Sequence, residues 1–119
     1  MARILIVDDS DFIRGTLRDI LENSGHTVVA EASTGEEAFS EFTKHNPDLV
    51  TMDITMSGMD GTSTIKKIIK YSPQAKIIVI SAINNREKLF KSMHYGAKCY
   101  ILKPFTTYSV IDTVNETLA

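Results

Sequence analysis

The chain has 119 residues, 43% of them hydrophobic and 24% charged, which is enough for one core and predicts a single domain over residues 1–119. Thirteen basic and fifteen acidic residues leave a net charge of −2, which argues against nucleic acid as the main partner. The single cysteine, Cys99, excludes an internal disulfide. Because the chain also lacks a signal peptide and an apolar run of ~20 residues, we expect a cytoplasmic protein without membrane insertion.

Short apolar runs rich in β-branched residues alternate with segments of helical spacing along the whole chain. The runs are nearly continuous in apolarity, which is typical of parallel strands covered on both faces. In chain order the predicted strands are 4–7, 27–30, 48–52, 76–80 and 99–102. Between and after them, apolar residues three or four positions apart predict five helices, with stripes at Ile13, Leu17, Ile20 and Leu21; Ala38 and Phe42; Ile65, Ile68 and Ile69; Leu89 and Met93; and Val110, Val114 and Leu118. Five βα units in a row predict an α/β fold, a parallel sheet with helices on both faces.

Polar residues mark the helix boundaries in this pattern. Ser10 or Asp11 is suited to cap the first helix, and Gly25 to end it. Residues 34–37 have the spacing of a capping box before the second helix. Residues 84–87 repeat that spacing, which predicts Asn84 as the cap of the fourth helix.

Chemically capable side chains collect where the predicted strands end. Strand one is followed by Asp8 and Asp9, strand three by Asp53, strand four by Ser81 and strand five by Lys103, whereas strand two contributes no obvious group. In open parallel sheets, ligands bind beyond the carboxyl ends of the strands, where the strand order reverses. If strands one and three are neighbours, the three carboxylates converge at that point.

Such a cluster would favour a divalent cation. Two carboxylates about 4 Å apart repel each other by ~4 kcal/mol at an effective dielectric near 20. The candidate ligands are all oxygens, which favours Mg²⁺ over zinc or copper. A carboxylate beside Mg²⁺ and Lys103 is well placed to attack a phosphoryl group, with the Ser81 hydroxyl stabilising the developing charge. Asp53 stands alone at its strand end and is the best nucleophile candidate, while Asp8 and Asp9 look like the metal clamp.

With these residues in place, the chain resembles the receiver domains of two-component signalling, and most closely the stand-alone chemotaxis response regulators (CheY-like). The resemblance covers essentially the whole chain and rests on five motifs in order, which are residues 4–10, 48–56 with 59–61, 80–82, 96–97 and 102–105. It implies a flavodoxin-like (βα)5 doubly wound sheet with the strand order 2-1-3-4-5.

The resemblance also implies a role for each site residue. Asp53 would be the phosphoacceptor. Asp9, Asp53 and the backbone carbonyl of Thr55 would be direct Mg²⁺ ligands, with Asp8 acting through water. Such a protein is a phosphoacceptor that assists its own chemistry and is not a conventional enzyme.

The remaining implied roles concern the phosphoryl group and the switch. Lys103 would contact the phosphoryl group, and its bond to Pro104 would be cis. Ser81 and Tyr100 would be the switch pair: the Ser81 hydroxyl binds the phosphoryl group and Tyr100 turns inward. This movement would reshape the surface formed by helix four, strand five and helix five.

The implied partners are proteins. A sensor histidine kinase would donate the phosphoryl group, a target such as the flagellar motor switch would read the altered surface, and a phosphatase is possible. The unphosphorylated chain would be a monomer. Two residues depart from the family pattern: Ser57 stands where proline is usual, and the apolar Ile83 predicts slow self-dephosphorylation.

Several alternatives stay open. Asp8 and Asp9 alone could simply cap the first helix, although Asp53 and Lys103 make that interpretation weak. A receiver domain cut from a longer, for example DNA-binding, regulator has the same sequence features, although for a chain that ends at Ala119 we expect output through protein contacts and not through an effector domain. An aspartyl-phosphate phosphatase would want a second Asp where Thr55 stands. A flavin-binding module would want a Ser/Thr/Gly-rich loop where Asp8 and Asp9 stand.

Overall fold

The computed structural model describes residues 1–55, 60–82 and 84–119, so the predictions at Ser57 and Ile83 lie outside the described residues. Strands and helices alternate along the chain. The strands are β1 (Arg3–Val7), β2 (Thr27–Ala32), β3 (Leu49–Asp53), β4 (Ile77–Ala82) and β5 (Cys99–Lys103). The helices are α1 (Asp11–Asn23), α2 (Gly35–His45), α3 (Gly61–Tyr71), α4 (Arg86–His94) and α5 (Thr107–Leu118).

The strands form one parallel sheet in the order β2-β1-β3-β4-β5. This confirms the predicted α/β class and the flavodoxin-like order. The order reverses between β1 and β3, and their register pairs Val7 with Met52. The residue that follows each of these two is an aspartate, so Asp8, just beyond β1, and Asp53, the last residue of β3, lie side by side.

Each face of the sheet is covered by a separate apolar cluster. On one face, helices α1 and α5 pack against the strands. Their buried side chains there include Leu17, Leu21, Val110 and Val114. On the other face, α2, α3 and α4 contribute Phe42, Ile65, Ile68 and Leu89. Burial on both faces is the reason why the strands are apolar throughout and do not alternate.

The helix ends agree with the sequence predictions except at α4. Ser10 caps α1 by accepting from the Ile13 amide, and Thr34 caps α2 by accepting from the Glu37 amide. The prediction of Asn84 as the α4 cap is wrong: the cap is Asn85, and its side chain makes no capping hydrogen bond. The reason is that the Asn85 amide closes a turn onto the Ala82 carbonyl, which starts the helix one residue later.

The cap of α5 was not predicted. Thr106 and Ser109 form a reciprocal capping box there. The usual capping box has Glu or Gln at the third helical position, whereas here the side chain of Ser109 accepts the hydrogen bond from the Thr106 amide. Within residues 1–55, 60–82 and 84–119, no helix combines the length and the apolarity that crossing a bilayer requires.

Candidate phosphorylation and metal site

Three carboxylates converge at the carboxyl edge of the sheet, as their strand-end positions predict. One oxygen each from Asp8, Asp9 and Asp53 lies within 4.8 Å of the others. Asp8 and Asp53 are only 1% and 2% exposed, whereas Asp9 faces solvent. The cluster thus consists of two buried carboxylates and one exposed carboxylate.

Lys103 reaches this cluster from the last residue of β5. Its Nζ lies 3.5 Å from Oδ2 of Asp8 and 3.6 Å from Oδ2 of Asp53. β4 separates β5 from β3, so the lysine extends across the end of one strand. The peptide bond to Pro104 is cis, as the resemblance implied. The lysine offsets part of the negative charge and leaves the cluster with a net negative charge.

The two oxygens of Asp53 have different surroundings. Oδ1 accepts hydrogen bonds from the amide and the hydroxyl of Thr55, at 3.0 and 2.7 Å. Oδ2 faces Lys103. Thr55 is predicted to contribute only its backbone carbonyl, which stays a prediction, whereas the contact between its side chain and Asp53 was not predicted. The carboxylate is thus held in one orientation by the residue two positions further along the chain.

Gly61, at the start of α3, packs directly against the backbone at Asp53. A Cβ at Gly61 would lie 2.5 Å from Cα of Ile54 and 2.6 Å from the carbonyl oxygen of Asp53. Real Cβ atoms do not approach that closely, so only glycine fits there without displacing the chain.

The buried carboxyl of Asp8 has a perturbed pKa. Burial raises the pKa of Asp8 above its usual value, and the charge of Asp53 acts in the same direction. The Ser10 amide, which donates to Oδ1 at 2.9 Å, and Lys103 oppose that rise. A bound cation would stabilise the ionised form of the same carboxyl.

Ser81 and Tyr100 lie on the same face of the sheet, but one is buried and the other is half exposed. Tyr100 is paired with Val79, which lies two residues before Ser81 on β4. Ser81 is fully buried, and its hydroxyl donates to the Ala82 carbonyl at 3.0 Å. Tyr100 is 49% exposed. The hydroxyl of Ser81 therefore bonds to backbone, and the Tyr100 ring lies at the surface.

Arg14 and Glu31 lie near the site, and neither is among the predicted site residues. Nη1 of Arg14 donates to the carbonyl of Asp8 at 2.6 Å, and Nε of Arg14 donates to Glu31 at 2.9 Å. Glu31 lies on β2, the strand that seemed to contribute nothing. A signal for it was available, because Glu31 directly follows the predicted strand 27–30, as Asp8 and Asp9 follow the first strand.

The donor set fits a hard divalent cation. The three aspartates supply carboxylate oxygens only, and this chemistry suits Mg²⁺, which commonly takes one or two carboxylates and leaves positions for water and phosphate oxygens. The residues that could hold the ion are Asp8, Asp9 and Asp53, with the nearby backbone of Thr55.

Comparison with known proteins agrees with this geometry. The sequence profile of the response regulator receiver domain matches residues 4–115. The chemotaxis protein CheY of Bacillus subtilis is 46% identical over 116 residues, covering 98% of this chain and 97% of that protein. CheY of Thermotoga maritima is 44% identical over 114 residues, covering 96% and 95%.

A solved structure shows the same fold. In the crystal structure of the CheX-CheY-BeF3-Mg+2 complex from Borrelia burgdorferi, the matching chain has a TM-score of 0.93 and is 34% identical. The match covers 98% of this chain and 89% of that one. The chain therefore belongs to the response regulator receiver domain family and is CheY-like.

Proposed function

We propose that this receiver domain is a Mg²⁺-dependent phosphorylation switch that accepts a phosphoryl group on Asp53 from a sensor histidine kinase. The observation that carries the proposal is the site itself. Three aspartates have oxygens within 4.8 Å of one another, and Lys103 lies 3.6 Å from Oδ2 of Asp53. Such a concentration of like charge is unfavourable, Lys103 offsets only part of it, and a bound cation would offset more.

The chain's own groups would each perform one task in the transfer. An oxygen of Asp53 attacks the phosphorus, the bond from phosphorus to the donor imidazole nitrogen breaks, and its electron pair stays on that nitrogen. The bonds from Thr55 orient the Asp53 carboxylate for this attack. Lys103 places positive charge where the phosphoryl oxygens would lie. A bound Mg²⁺, held by Asp8, Asp9, Asp53 and the Thr55 carbonyl, would supply further charge neutralisation.

Phosphorylation would act by changing the surface formed by α4, β5 and α5, which a partner protein binds. In the switch we propose, the Ser81 hydroxyl leaves the Ala82 carbonyl and binds the phosphoryl group, and Tyr100 turns inward from its exposed position. Further exposed apolar side chains lie on α4, β5 and α5, namely Phe90, Leu102 and Tyr108. Aromatic residues of this kind are typical of protein interfaces, which supports a protein target.

The relatives support a role in chemotaxis. The Bacillus and Thermotoga proteins are named chemotaxis proteins, and the Borrelia relative was crystallised with CheX, BeF3 and Mg+2. We propose a cytoplasmic protein that is monomeric before phosphorylation, acts on a target such as the flagellar motor switch, and is reset by its own hydrolysis or by a phosphatase.

The direct test is intact mass after incubation with acetyl phosphate, with and without Mg²⁺. The expected result is the gain of one phosphoryl group in the wild-type chain, only with Mg²⁺, and no gain in Asp53→Asn. Asp112→Asn is a matched control because it removes one carboxylate from the exposed side of α5. It should be phosphorylated like the wild type. A wild-type chain that gains no phosphoryl group from acetyl phosphate or from a kinase would overturn the proposal.

A further inference from the structure

The peptide between Asp8 and Asp9 is the point from which two of the three site carboxylates project. Its carbonyl oxygen, which belongs to Asp8, accepts a hydrogen bond of 2.6 Å from Nη1 of Arg14. The Asp8 amide donates to the Ala32 carbonyl at 3.0 Å, which continues the pairing of β1 with β2. Because a peptide group is planar, a bond to the Asp8 carbonyl also orients the amide nitrogen of Asp9. Arg14 therefore acts on the backbone that carries both carboxylates.

The Arg14 guanidinium is itself held on two further sides. Its Nε donates to Oε1 of Glu31 at 2.9 Å, and its Nη2 pairs with Asp11. The side chain is 14% exposed, so most of it lies out of water. Glu31 is held in turn, because its other oxygen accepts from Nε of Arg18 at 2.7 Å. The planar guanidinium thus bridges β2, α1 and the turn after β1.

We propose that Arg14 is a positioning residue of the cation site. Held by Glu31, its guanidinium sets the orientation of the Asp8–Asp9 peptide and so places the two carboxylates for a divalent ion. This inference rests on the proposed function, in which those carboxylates hold Mg²⁺. Groups that orient metal ligands strongly affect metal affinity although they do not touch the ion.

If Arg14 positions the carboxylates, its removal should weaken the binding of a cation, whereas its charge alone predicts the opposite effect. Replacing Arg14 by glutamine makes the neighbourhood of the carboxylates more negative, which by charge alone should tighten the binding of a cation. Loss of positioning should weaken it. Arg18 is a matched control, because among the described residues it donates to Glu31 and Glu22 and not to the Asp8 carbonyl.

The test is a titration with Mn²⁺, an ion that also prefers oxygen ligands, in which the electron paramagnetic resonance signal of free Mn²⁺ gives the dissociation constant. We expect Arg14→Gln to bind Mn²⁺ about 10-fold more weakly than the wild type. Arg18→Gln should stay within about two-fold of the wild type or bind more tightly, since a half-exposed ion pair contributes little. Circular dichroism during heating checks that each variant is folded.

A second variant keeps the test decisive if Arg14→Gln does not fold. Arg14→Lys retains the charge, but one ammonium cannot reproduce the planar fork that meets the Asp8 carbonyl and Glu31 together. It should also bind Mn²⁺ more weakly than the wild type. Wild-type affinity in the folded Arg14 variants, or equal weakening in Arg18→Gln, would overturn the positioning role and leave the proposed function intact. If the wild-type chain itself binds no Mn²⁺, the metal part of the proposed function fails and the inference fails with it.

Discussion

At the scale of single residues, His26 links the stability of the fold to pH. Its Nδ1 accepts a hydrogen bond of 3.0 Å from the Ala2 amide, which requires that nitrogen to be unprotonated. Burial lowers the pKa of His26 below its ordinary 6.5, and the positive amino terminus lowers it further. The unfolded chain therefore takes up this proton at a higher pH than the folded chain does. The contribution of His26 is fully present above pH 6.5 and is lost as the pH falls toward the lowered pKa.

We expect His26→Gln to make the stability less dependent on pH. Urea denaturation at about pH 7.5 and about pH 5.5 would give the free energy of unfolding, and its drop toward acid should be smaller in the variant. The higher pH serves as the control, because the ring is neutral there and any difference reports packing alone. An equal drop in both chains would mean that His26 does not carry the effect.

Thr51 is a buried residue with an unsatisfied hydroxyl group. It lies in the middle of β3 between Ile6 and Ile78, and its hydroxyl has no hydrogen-bond partner among the described residues. Thr51→Val keeps the shape and removes the unsatisfied group, so we expect the free energy of unfolding to rise by about 1–2 kcal/mol in urea denaturation.

The matched control for Thr51 is Thr64→Val. Thr64 is equally buried, but its hydroxyl donates to the Asp60 carbonyl at 3.2 Å. The same substitution there should lower stability by about 1 kcal/mol, because a hydrogen bond is lost. Two changes of the same sign would contradict this account of the Thr51 hydroxyl.

At the scale of secondary-structure elements, the start of α3 packs on the end of β3 through Gly61. Gly61→Ala would bring a Cβ to 2.5 Å from Cα of Ile54, so backbone next to Asp53 must move. We expect a loss of about 1–3 kcal/mol in the free energy of unfolding and slower phosphorylation by acetyl phosphate, followed by intact mass.

Gly15→Ala is the control for that substitution. Gly15 lies inside α1, and a Cβ there meets no heavy atom within 4 Å apart from the adjacent backbone of its own helix. Helix propensity should stabilise this variant by up to ~1 kcal/mol, with an unchanged rate of phosphorylation. If both glycine variants lost stability alike, close packing against β3 would not be the cause.

At the scale of the whole molecule, the doubly wound topology concentrates negative charge at one edge of the sheet. Asp53→Asn removes the repulsion of Asp53 with Asp8 and Asp9 and also its attraction to Lys103. Because two like charges outweigh one opposite charge, we expect the variant without metal to be more stable by on the order of 1 kcal/mol. Its melting temperature should therefore rise by roughly 4 °C.

Added Mg²⁺ should make the wild type more stable than Asp53→Asn. A ligand that binds only the folded state stabilises it in proportion to the logarithm of its concentration, so added Mg²⁺ should raise the melting temperature of the wild type more than that of Asp53→Asn. Asp112→Asn should respond like the wild type. Equal responses of the wild type and Asp53→Asn would argue against Asp53 as part of the cation site.

The sequence by itself determined the elements and the chemistry of their ends. Continuous apolar strands, helical stripes and the caps Ser10 and Thr34 are local signals, and all of them are confirmed. The aspartates and the lysine at the strand ends could be found in the same way, because a strand end is visible where an apolar run stops. The order of the strands was predicted from the family resemblance and not from these local patterns.

Only the tertiary structure decided which of these residues meet. That Asp8 lies beside Asp53, that Lys103 reaches both, and that Glu31 holds Arg14 all depend on contacts between segments far apart in sequence. The same holds for the unsatisfied Thr51 hydroxyl, which is enclosed by the neighbouring strands. Periodicity and capping are properties of one segment, whereas side-chain partners across the sheet depend on how the segments pack against one another.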